Sequence, residues 1–284
     1  KKANYDVDND TTELDKTLSE YLSDYGDAFK ERYLLPMGAA IWSTPSDEMQ
    51  HFPTRTFLQF FKNHGLLGVT TQHQWLTVSN GSVNYVNKIK EHISGKIILN
   101  SDVIKLRRHR NGVTLFHDDG SESEYDKVIL AMHAPEALEL LEDASELEKD
   151  ILGCFAYKQN DALLHNDTKA LYPDKEIYAA WNYKNNGNAD AVTLSYWINR
   201  LQNISSNKEY FVSLNEIDSL DEVIERISYE HPQFNTAAIN AQNLRSEING
   251  VNNTYYAGAY WRYGFHEDGL WSANTIAKDF GCEL

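Results

Sequence analysis

The chain has 284 residues, of which 42% are hydrophobic, enough for one large domain or two modest domains with packed cores. Its formal net charge is −16, from 26 Lys and Arg against 42 Asp and Glu, and a field of that sign disfavours nucleic acids and anionic membrane surfaces as partners. No apolar run reaches the about twenty residues that span a bilayer. Cys154 and Cys282 form neither a metal motif nor a disulfide framework, which is typical of a reducing compartment and favours a cytoplasmic location.

The first part of the chain has the apolar spacing of helices. Helices are predicted at 17–25, 28–41, 54–65 and 83–93, and 64–75 is expected to be a loop. In 54–65 the side chains of Phe57, Phe60 and Phe61 are very apolar for a surface helix. Core packing is the simpler interpretation, and lining of a cavity is the alternative.

From residue 96 the pattern changes to short strands separated by turn signals such as Arg110-Asn111-Gly112. Strands are predicted at 96–99, 103–108, 113–117, 122–125 and 126–131, the last one buried, followed by helices at 135–141 and 144–153. Aromatic-rich strands are predicted next, at 157–165, 177–183, 191–198 and 210–214, with a turn at 185–188. The remaining elements are a helix at 220–227, an extended segment at 229–234 and a helix at 236–243.

The most informative stretch is 253–281, which predicts a strand at 254–257, a glycine-rich aromatic loop and a helix at 268–280. Gly258, Gly264 and Gly269 would let backbone N–H groups approach a ligand closely. A helix that begins directly after such a loop directs the positive end of its dipole towards an anionic or electron-rich cofactor. An ordinary turn that carries several buried aromatic residues accounts for the same spacing equally well.

Other candidates for chemistry are weaker. The consecutive residues His266, Glu267 and Asp268 do not share a helix face, so we expect no metal site there and assign Asp268 to helix capping. His133 follows a buried strand at the end where α/β sheets bind ligands, although a turn histidine is equally consistent. The sequence contains no GxSxG, Walker or GxGxxG motif.

Four blocks, taken together and in order, resemble the flavin-containing amine oxidase superfamily. They are RYLLPMGAAIW at 32–42, HGLLGV at 64–69, DKVILAMHAP at 126–135, and the stretch 253–281 described above. Within that superfamily they are similar to a branch of NAD/FAD-binding oxidoreductases associated with cyclopropane-fatty-acid synthases. The resemblance covers the chain from about residue 18 to 281.

The resemblance implies an α/β fold: part of an FAD domain of the glutathione-reductase type, with an inserted α+β substrate domain. It places 1–78 and 146–249 in the substrate part, and 79–145 and 250–284 in the FAD part. It implies FAD as cofactor, a small-molecule substrate, either apolar and lipid-linked or an amine, and hydride abstraction from a C–N or C–C bond.

The same resemblance implies a set of cofactor-binding residues, with the terminal helix dipole stabilising negative charge on reduced flavin. They are Val103, His133, Gly258, Ala259, Tyr260, Gly264, Phe265, His266, Glu267, Asp268 and Gly269. Lys158 and His266 are the weak candidates for catalysis, and the aromatic residues Trp181, Trp197, Tyr260 and Trp261 could line a cage or pack in the core.

One departure from the family pattern is large, because family members open with a βαβ unit that carries GxGxxG. We therefore expect this chain alone to bind FAD weakly or not at all and to be inactive by itself. An incomplete sheet also favours self-association. The alternative function is a non-catalytic scaffold for a lipid-modifying partner.

Overall fold

A computed structural model of the chain describes residues 1–184, 193–215 and 220–282. The chain divides into two compact units, each built from two stretches of sequence. The mixed-sheet unit comprises Lys1–Gly95 and Lys158–His231, and the meander unit comprises Lys96–Tyr157 and Pro232–Leu284. The sequence-based boundaries differ in two ways. Residues 146–157 and 232–249 fall in the meander unit, where Ile151, Leu152, Ala238 and Ile248 join its core, and residues 79–95 fall in the mixed-sheet unit. Which unit serves substrate and which serves cofactor stays a prediction.

The N-terminal part of the mixed-sheet unit is helical. Its α-helices are Lys2–Asp8, Leu18–Tyr21, Asp27–Phe29, Leu35–Trp42, Thr54–Asn63 and Val83–His92, with 3₁₀ turns at Thr12–Asp15 and Glu48–His51. The turn before Pro36 is π-helical, over Lys30–Leu34, next to a residue that has no N–H to donate. Phe57, Phe60 and Phe61 are buried, which confirms the core interpretation of that helix. Phe57 and Phe60 pack on Trp42, and Phe61 stacks on Phe57.

The second part of this unit is a five-stranded sheet. Its strands, in spatial order, are Trp181–Lys184, Thr193–Trp197, Phe211–Leu214, Tyr157–His165 and Val223–Pro232. Short helical turns lie at Thr168–Ala170, Lys175–Ile177 and Ile198–Leu201. The predicted turn at 185–188 and the first two residues of the predicted strand at 191–198 lie outside the described residues.

The predicted helix at 220–227 is wrong, because Val223–Pro232 forms an exposed strand at the edge of this sheet. Leu220, Ile224 and Ile227 have helical spacing, but Val223, Ile224 and Ile227 are β-branched and lose side-chain freedom in a helix. Pairing with the long strand Tyr157–His165 decides the outcome.

The meander unit begins with three antiparallel strands, Val103–His109, Gly112–His117 and Glu122–Tyr125, at the predicted places. The predicted strand at 96–99 is absent from the described structure, and Ile97, Ile98 and Leu99 are exposed. The register explains this difference. Val103 pairs with His117, the last residue of the partner strand, and one further backbone hydrogen bond joins Asp118 N to Asp102 O. Residues 96–99 lie beyond the end of this hairpin.

The rest of the meander unit is a parallel strand pair covered by helices. Val128–Leu130 pairs with Thr254–Tyr256 from the far end of the sequence. The helices are Ala134–Leu140, Glu146–Leu152, Thr236–Gln242, Arg245–Ile248 and His266–Asp279, with 3₁₀ turns at Val251–Asn253 and Ala259–Trp261. Thr254–Tyr256 is fully buried, whereas Ile129 on the neighbouring strand remains half exposed. Among the described residues, no helix has the length and apolar character needed to cross a membrane.

A buried ionic network holds this core to the strand that leads into the terminal loop. Arg108 forms an ion pair with Glu148, and both side chains are almost completely buried. The Tyr256 hydroxyl donates to Glu148 Oε1 at 2.6 Å, and the Ser145 N–H and hydroxyl both donate to Oε2 at 2.8 Å. Burial by itself would raise the pKa of Glu148, but the hydrogen bonds from Arg108, Tyr256 and Ser145 outweigh it and lower the pKa to about 2.

Candidate functional site at the terminal loop

The candidate site begins where the chain leaves the parallel strand pair. Ala257 N donates to Leu130 O at 3.0 Å, which continues the pairing by one residue. The next N–H, that of Gly258, donates to the Ser272 hydroxyl at 2.9 Å, and this hydroxyl donates to Gly269 O at 2.8 Å. Ser272 therefore ties the start of the loop to the first turn of the terminal helix, His266–Asp279.

The aromatic loop, defined here as Gly258–Phe265, is anchored by its own side chains. Tyr260 and Trp261 are each 2% exposed and pack on Phe155, with ring centroids 4.8 and 5.2 Å away. Trp261 Nε1 donates to Tyr256 O at 2.9 Å. Gln242 Nε2 donates to the carbonyl groups of Tyr260 and Arg262, at 2.8 and 2.6 Å. The loop is thus held in one conformation, as a ligand-binding loop needs to be.

The three glycines of the site differ in the space and the backbone conformation around them. A Cβ on Gly258 would lie 2.3 Å from a ring carbon of Tyr260, so the protein's own side chain fills that space. Gly264 has φ +92°, in the left-handed region, and a Cβ there would meet the Phe234 ring at 2.9 Å. At Gly269 nothing lies within 4 Å of a built Cβ, so open space borders the first turn of the terminal helix.

Asp268 shapes the start of the terminal helix, though from inside it, because the helix begins at His266 rather than at the predicted residue 268. Its buried carboxylate accepts the Phe265 N–H at 3.0 Å. Burial raises the pKa of Asp268, and the Phe265 hydrogen bond and the Arg262 charge oppose that rise. Arg262 Nε lies 3.8 Å from Asp268 Oδ1. The N–H groups of the first helical residues, His266 and Glu267, have no acceptor within the helix and are the ones available to a ligand.

All eleven predicted cofactor-binding residues belong to the meander unit. Nine of them lie in the loop and helix start just described, at residues 258–260 and 264–269. Val103 begins the first meander strand, and His133 precedes the helix Ala134–Leu140. The His133 ring stacks on Tyr157 with centroids 4.2 Å apart, and its Nδ1 lies 3.6 Å from Glu136 Oε1. Their roles towards a cofactor stay predictions.

The two weak catalytic candidates differ in setting. Lys158 belongs to the mixed-sheet unit, where its Nζ lies 3.2 Å from Glu48 Oε1 in a partly exposed ion pair. His266 is exposed as the first residue of the terminal helix. Of the aromatic residues considered for a cage, Tyr260 and Trp261 pack in the core of the meander unit, and Trp197 Nε1 donates to Glu209 Oε2 at 2.7 Å.

Sequence reasoning missed several residues that shape these surfaces. Gln242 and Ser272 fix the loop, but an isolated Gln or Ser on a helix has no pattern that marks it. In the mixed-sheet unit, Trp75 lies beside Trp181, with ring centroids 6.3 Å apart, and Trp181 packs edge-on against Tyr196 at 5.4 Å. Trp75 stands in the predicted loop 64–75, where no spacing pattern marks its contact with Trp181.

Comparison with known proteins gives the family. The family model for flavin containing amine oxidoreductases matches residues 3–154. A search of curated proteins gave no match.

Solved structures with the same fold share little sequence. A protein described as a protoporphyrinogen oxidase, from Exiguobacterium sp. 255-15, has a TM-score of 0.67 at 17% identity, over 93% of this chain. A fatty acid isomerase from P. acnes that produces CLA has a TM-score of 0.66 at 14% identity, over 94% of this chain and 67% of its own. Putrescine oxidase bound to putrescine has a TM-score of 0.65 at 11% identity, over 99% of this chain and 76% of its own.

The chain covers 66% of the length of the Exiguobacterium protein, slightly less than two thirds. The shared architecture is the mixed α/β fold of flavin-dependent amine oxidases, as the sequence predicted. Because the family model covers more than half of the residues, the chain belongs to the flavin containing amine oxidoreductase family.

Proposed function

We propose that this chain carries the flavin-edge half of the active site of an FAD-dependent oxidoreductase. The reaction is hydride abstraction from a C–N or C–C bond of an apolar or amine substrate. The single observation that carries the proposal is the rigid aromatic loop, which ends at an open helix N-terminus in a member of a flavin-containing family.

The residues at the terminal helix fit one edge of a flavin. Open space at Gly269 leaves room beside the first turn, and the N–H groups of His266 and Glu267 can donate to carbonyl oxygens of the ring. Gly258 gives weaker support for a bound flavin, because the Tyr260 ring by itself already requires a glycine at that position. The fit is therefore strongest at residues 265–269 and weaker at residues 258–260.

When bound, FAD supplies the hydride-accepting chemistry. The chain's own residues orient it and exclude water. Asp268 holds the Phe265 N–H and so fixes the geometry of the helix start. The positive end of the helix dipole favours negative charge beside His266 and Glu267. The packed Tyr260 and Trp261 rings keep the loop from admitting solvent beneath it.

We further propose that the dinucleotide half of the site lies on polypeptide beyond this chain. The chain corresponds to about two thirds of the Exiguobacterium protein, and it contains no GxGxxG motif. Without a phosphate-binding βαβ unit, the adenosine and pyrophosphate groups lose the backbone donors that such a motif supplies. We therefore expect weak or no FAD binding by these 284 residues alone.

The substrate class remains part of the proposal. One structural neighbour is a fatty acid isomerase and another is bound to putrescine, so apolar and amine substrates both have precedents in this fold. The Phe57–Phe61 segment gives no support to a lipid substrate, because its aromatic rings are buried in the core. A cytoplasmic location is proposed on the unpaired cysteines, Cys154 and Cys282.

The test restores a βαβ nucleotide-binding unit, fused to the chain or supplied as a separate polypeptide, and follows the flavin absorption band. The completed protein should bind FAD and be reduced anaerobically by a candidate amine or unsaturated lipid. The chain alone should stay colourless after purification. An intensely yellow preparation of the chain alone would contradict the two-part site.

A scaffold function is the alternative, and one observation favours it. The helix Val83–His92 has no buried residue, and its apolar side chains Val83, Val86 and Ile89 are about half exposed. A partner protein could cover that stripe. Tight flavin binding by the completed protein, without reduction by any donor tested, would favour the scaffold over the enzyme.

A further inference from the structure

Arg245 carries a positive charge that has no ion-pair partner within the described part of the chain. It begins the short helix Arg245–Ile248, and its side chain is half-buried. Its Nη1 atom is enclosed and makes no hydrogen bond. No carboxylate among the described residues forms an ion pair with it. Burial lowers its pKa, and the more distant charge of Asp279 opposes that shift without reversing it. A guanidinium ion without a partner is costly to enclose, so its environment calls for an anion.

A second unsatisfied polar group lies in the same unit. Tyr260 is 2% exposed, and its hydroxyl makes no hydrogen bond of ordinary geometry within the described structure. The Trp261 side chain also acts on this hydroxyl, but the Trp261 N–H already donates to Tyr256 O at 2.9 Å. Arg245 and this hydroxyl lie within electrostatic range of each other. The two elements are also tied together, because Gln242, three residues before Arg245, donates to the Tyr260 carbonyl at 2.8 Å.

The terminal helix, His266–Asp279, lies beside Arg245. The Arg245 guanidinium lies 5.6 Å from the centre of the Trp271 ring. One turn further along the same helix face, Asn274 Oδ1 is buried and also lacks a hydrogen bond. A buried donor, a buried hydroxyl and a buried acceptor without partners indicate a missing ligand or water, because native structures leave few such groups unpaired.

We propose that Arg245 and the Tyr260 hydroxyl bind a small oxyanion, a phosphate or carboxylate group, with Trp271 as the apolar wall beside the guanidinium. Both groups offer N–H or O–H donors, and a planar guanidinium matches the oxygen spacing of carboxylate and phosphate. Asn274 Oδ1 can accept a proton donor carried by the same ligand, such as the hydroxyl of hydrogen phosphate. This site requires no flavin and goes beyond the proposed function.

Enclosed water is the competing explanation. A water molecule could satisfy the Tyr260 hydroxyl and Asn274 Oδ1. It would give the Arg245 Nη1 donor only a neutral acceptor, whereas an anion accepts a charge-assisted hydrogen bond, which is stronger. The two explanations therefore differ in whether added anions stabilise the protein through Arg245.

The experiment measures the thermal unfolding midpoint of the chain in sodium phosphate, sodium acetate and sodium chloride at constant ionic strength near neutral pH. We expect a saturable rise of about 2–4 °C with phosphate, acetate or both, and none with chloride. A response to phosphate alone identifies a phosphate group as the ligand chemistry, and a response to acetate alone identifies a carboxylate.

Three variants locate the response. Arg245→Gln should abolish it, while Arg110→Gln, which removes an exposed charge from the same unit, should keep it. Tyr260→Phe should weaken the apparent affinity about threefold or more, without lowering the midpoint in chloride, since the hydroxyl has no protein partner. If Arg245→Gln does not fold, Tyr260→Phe carries the test, because it removes a single oxygen atom. The proposal would be overturned if phosphate and acetate raise the unfolding midpoint of the wild type no more than chloride does. It would also be overturned if Arg245→Gln and Tyr260→Phe both show the same rise as the wild type.

Discussion

Arg108 and Glu148 show at the scale of single residues how the terminal strand is fixed. Their ion pair is buried, and Glu148 also accepts hydrogen bonds from Tyr256 and Ser145. Glu148→Gln should lower the free energy of unfolding by about 3–5 kcal/mol, because it leaves a buried guanidinium without its counter-charge. Urea unfolding measures this, with Glu146→Gln as control. Glu146 is an exposed member of the same helix, so its replacement should cost less than about 0.5 kcal/mol. Equal losses in both variants would contradict a special role for the buried pair.

The same carboxylate predicts a pH dependence. Its pKa is about 2 in the folded protein, against an ordinary value of 4.5, so the stabilisation is fully present above pH 4.5. It should be lost as the pH falls from 4.5 towards 2. Denaturant unfolding over this range should give a steeper fall in stability for the wild type than for Glu148→Gln. Identical slopes would show that Glu148 does not titrate at this low pH.

Gly258 and Gly269 separate a packing requirement from space for a ligand. Gly258→Ala should destabilise the chain by about 1–3 kcal/mol, because the new methyl group meets the buried Tyr260 ring. Gly269→Ala should stabilise it by about 0.5–1 kcal/mol, because open space surrounds the position and alanine favours a helix. In a flavin-binding completed protein, Gly269→Ala should weaken FAD binding at least about tenfold. Unchanged flavin affinity would place the cofactor elsewhere.

At the scale of elements, one hydroxyl couples the aromatic loop to the terminal helix. Ser272→Ala removes the acceptor of the partly buried Gly258 N–H and should cost about 1–2 kcal/mol. Hydrogen exchange of the Gly258 amide should become faster in this variant. The control is Thr275→Ala on the same helix, where the exposed hydroxyl bonds only to Trp271 O. If Gly258 exchanges equally fast in both variants, Ser272 does not hold the loop.

The elements that sequence predicted well are those with local signals. The meander strands 103–109, 112–117 and 122–125 follow from alternation and from turns such as Asn111-Gly112. The elements predicted wrongly depend on distant partners. Residues 96–99 lack a strand to pair with, and 223–232 gains one in Tyr157–His165. The apolar spacing within a segment does not show whether another strand is available to pair with it.

For the whole molecule, exposed apolar surface predicts self-association. Val86 and Ile89 lie three residues apart on the exposed stripe of Val83–His92. Analytical ultracentrifugation should show oligomers that weaken with rising dilution, and Val86→Lys with Ile89→Lys should shift the chain towards monomer. Asn87→Lys adds a charge beside the stripe and should have little effect. A wild-type chain that is monomeric at high concentration would contradict this.

The sequence by itself determined the family and the general position of the candidate site. Several blocks in the right order carry the family, and glycines ahead of a helix mark a loop, because both are local properties of the chain. The tertiary structure decided what each residue in the loop does. It assigned Gly258 to packing against Tyr260, left Gly269 beside open space, and placed the Arg245 guanidinium 5.6 Å from the centre of the Trp271 ring. Those roles depend on contacts between segments that no spacing in the sequence encodes.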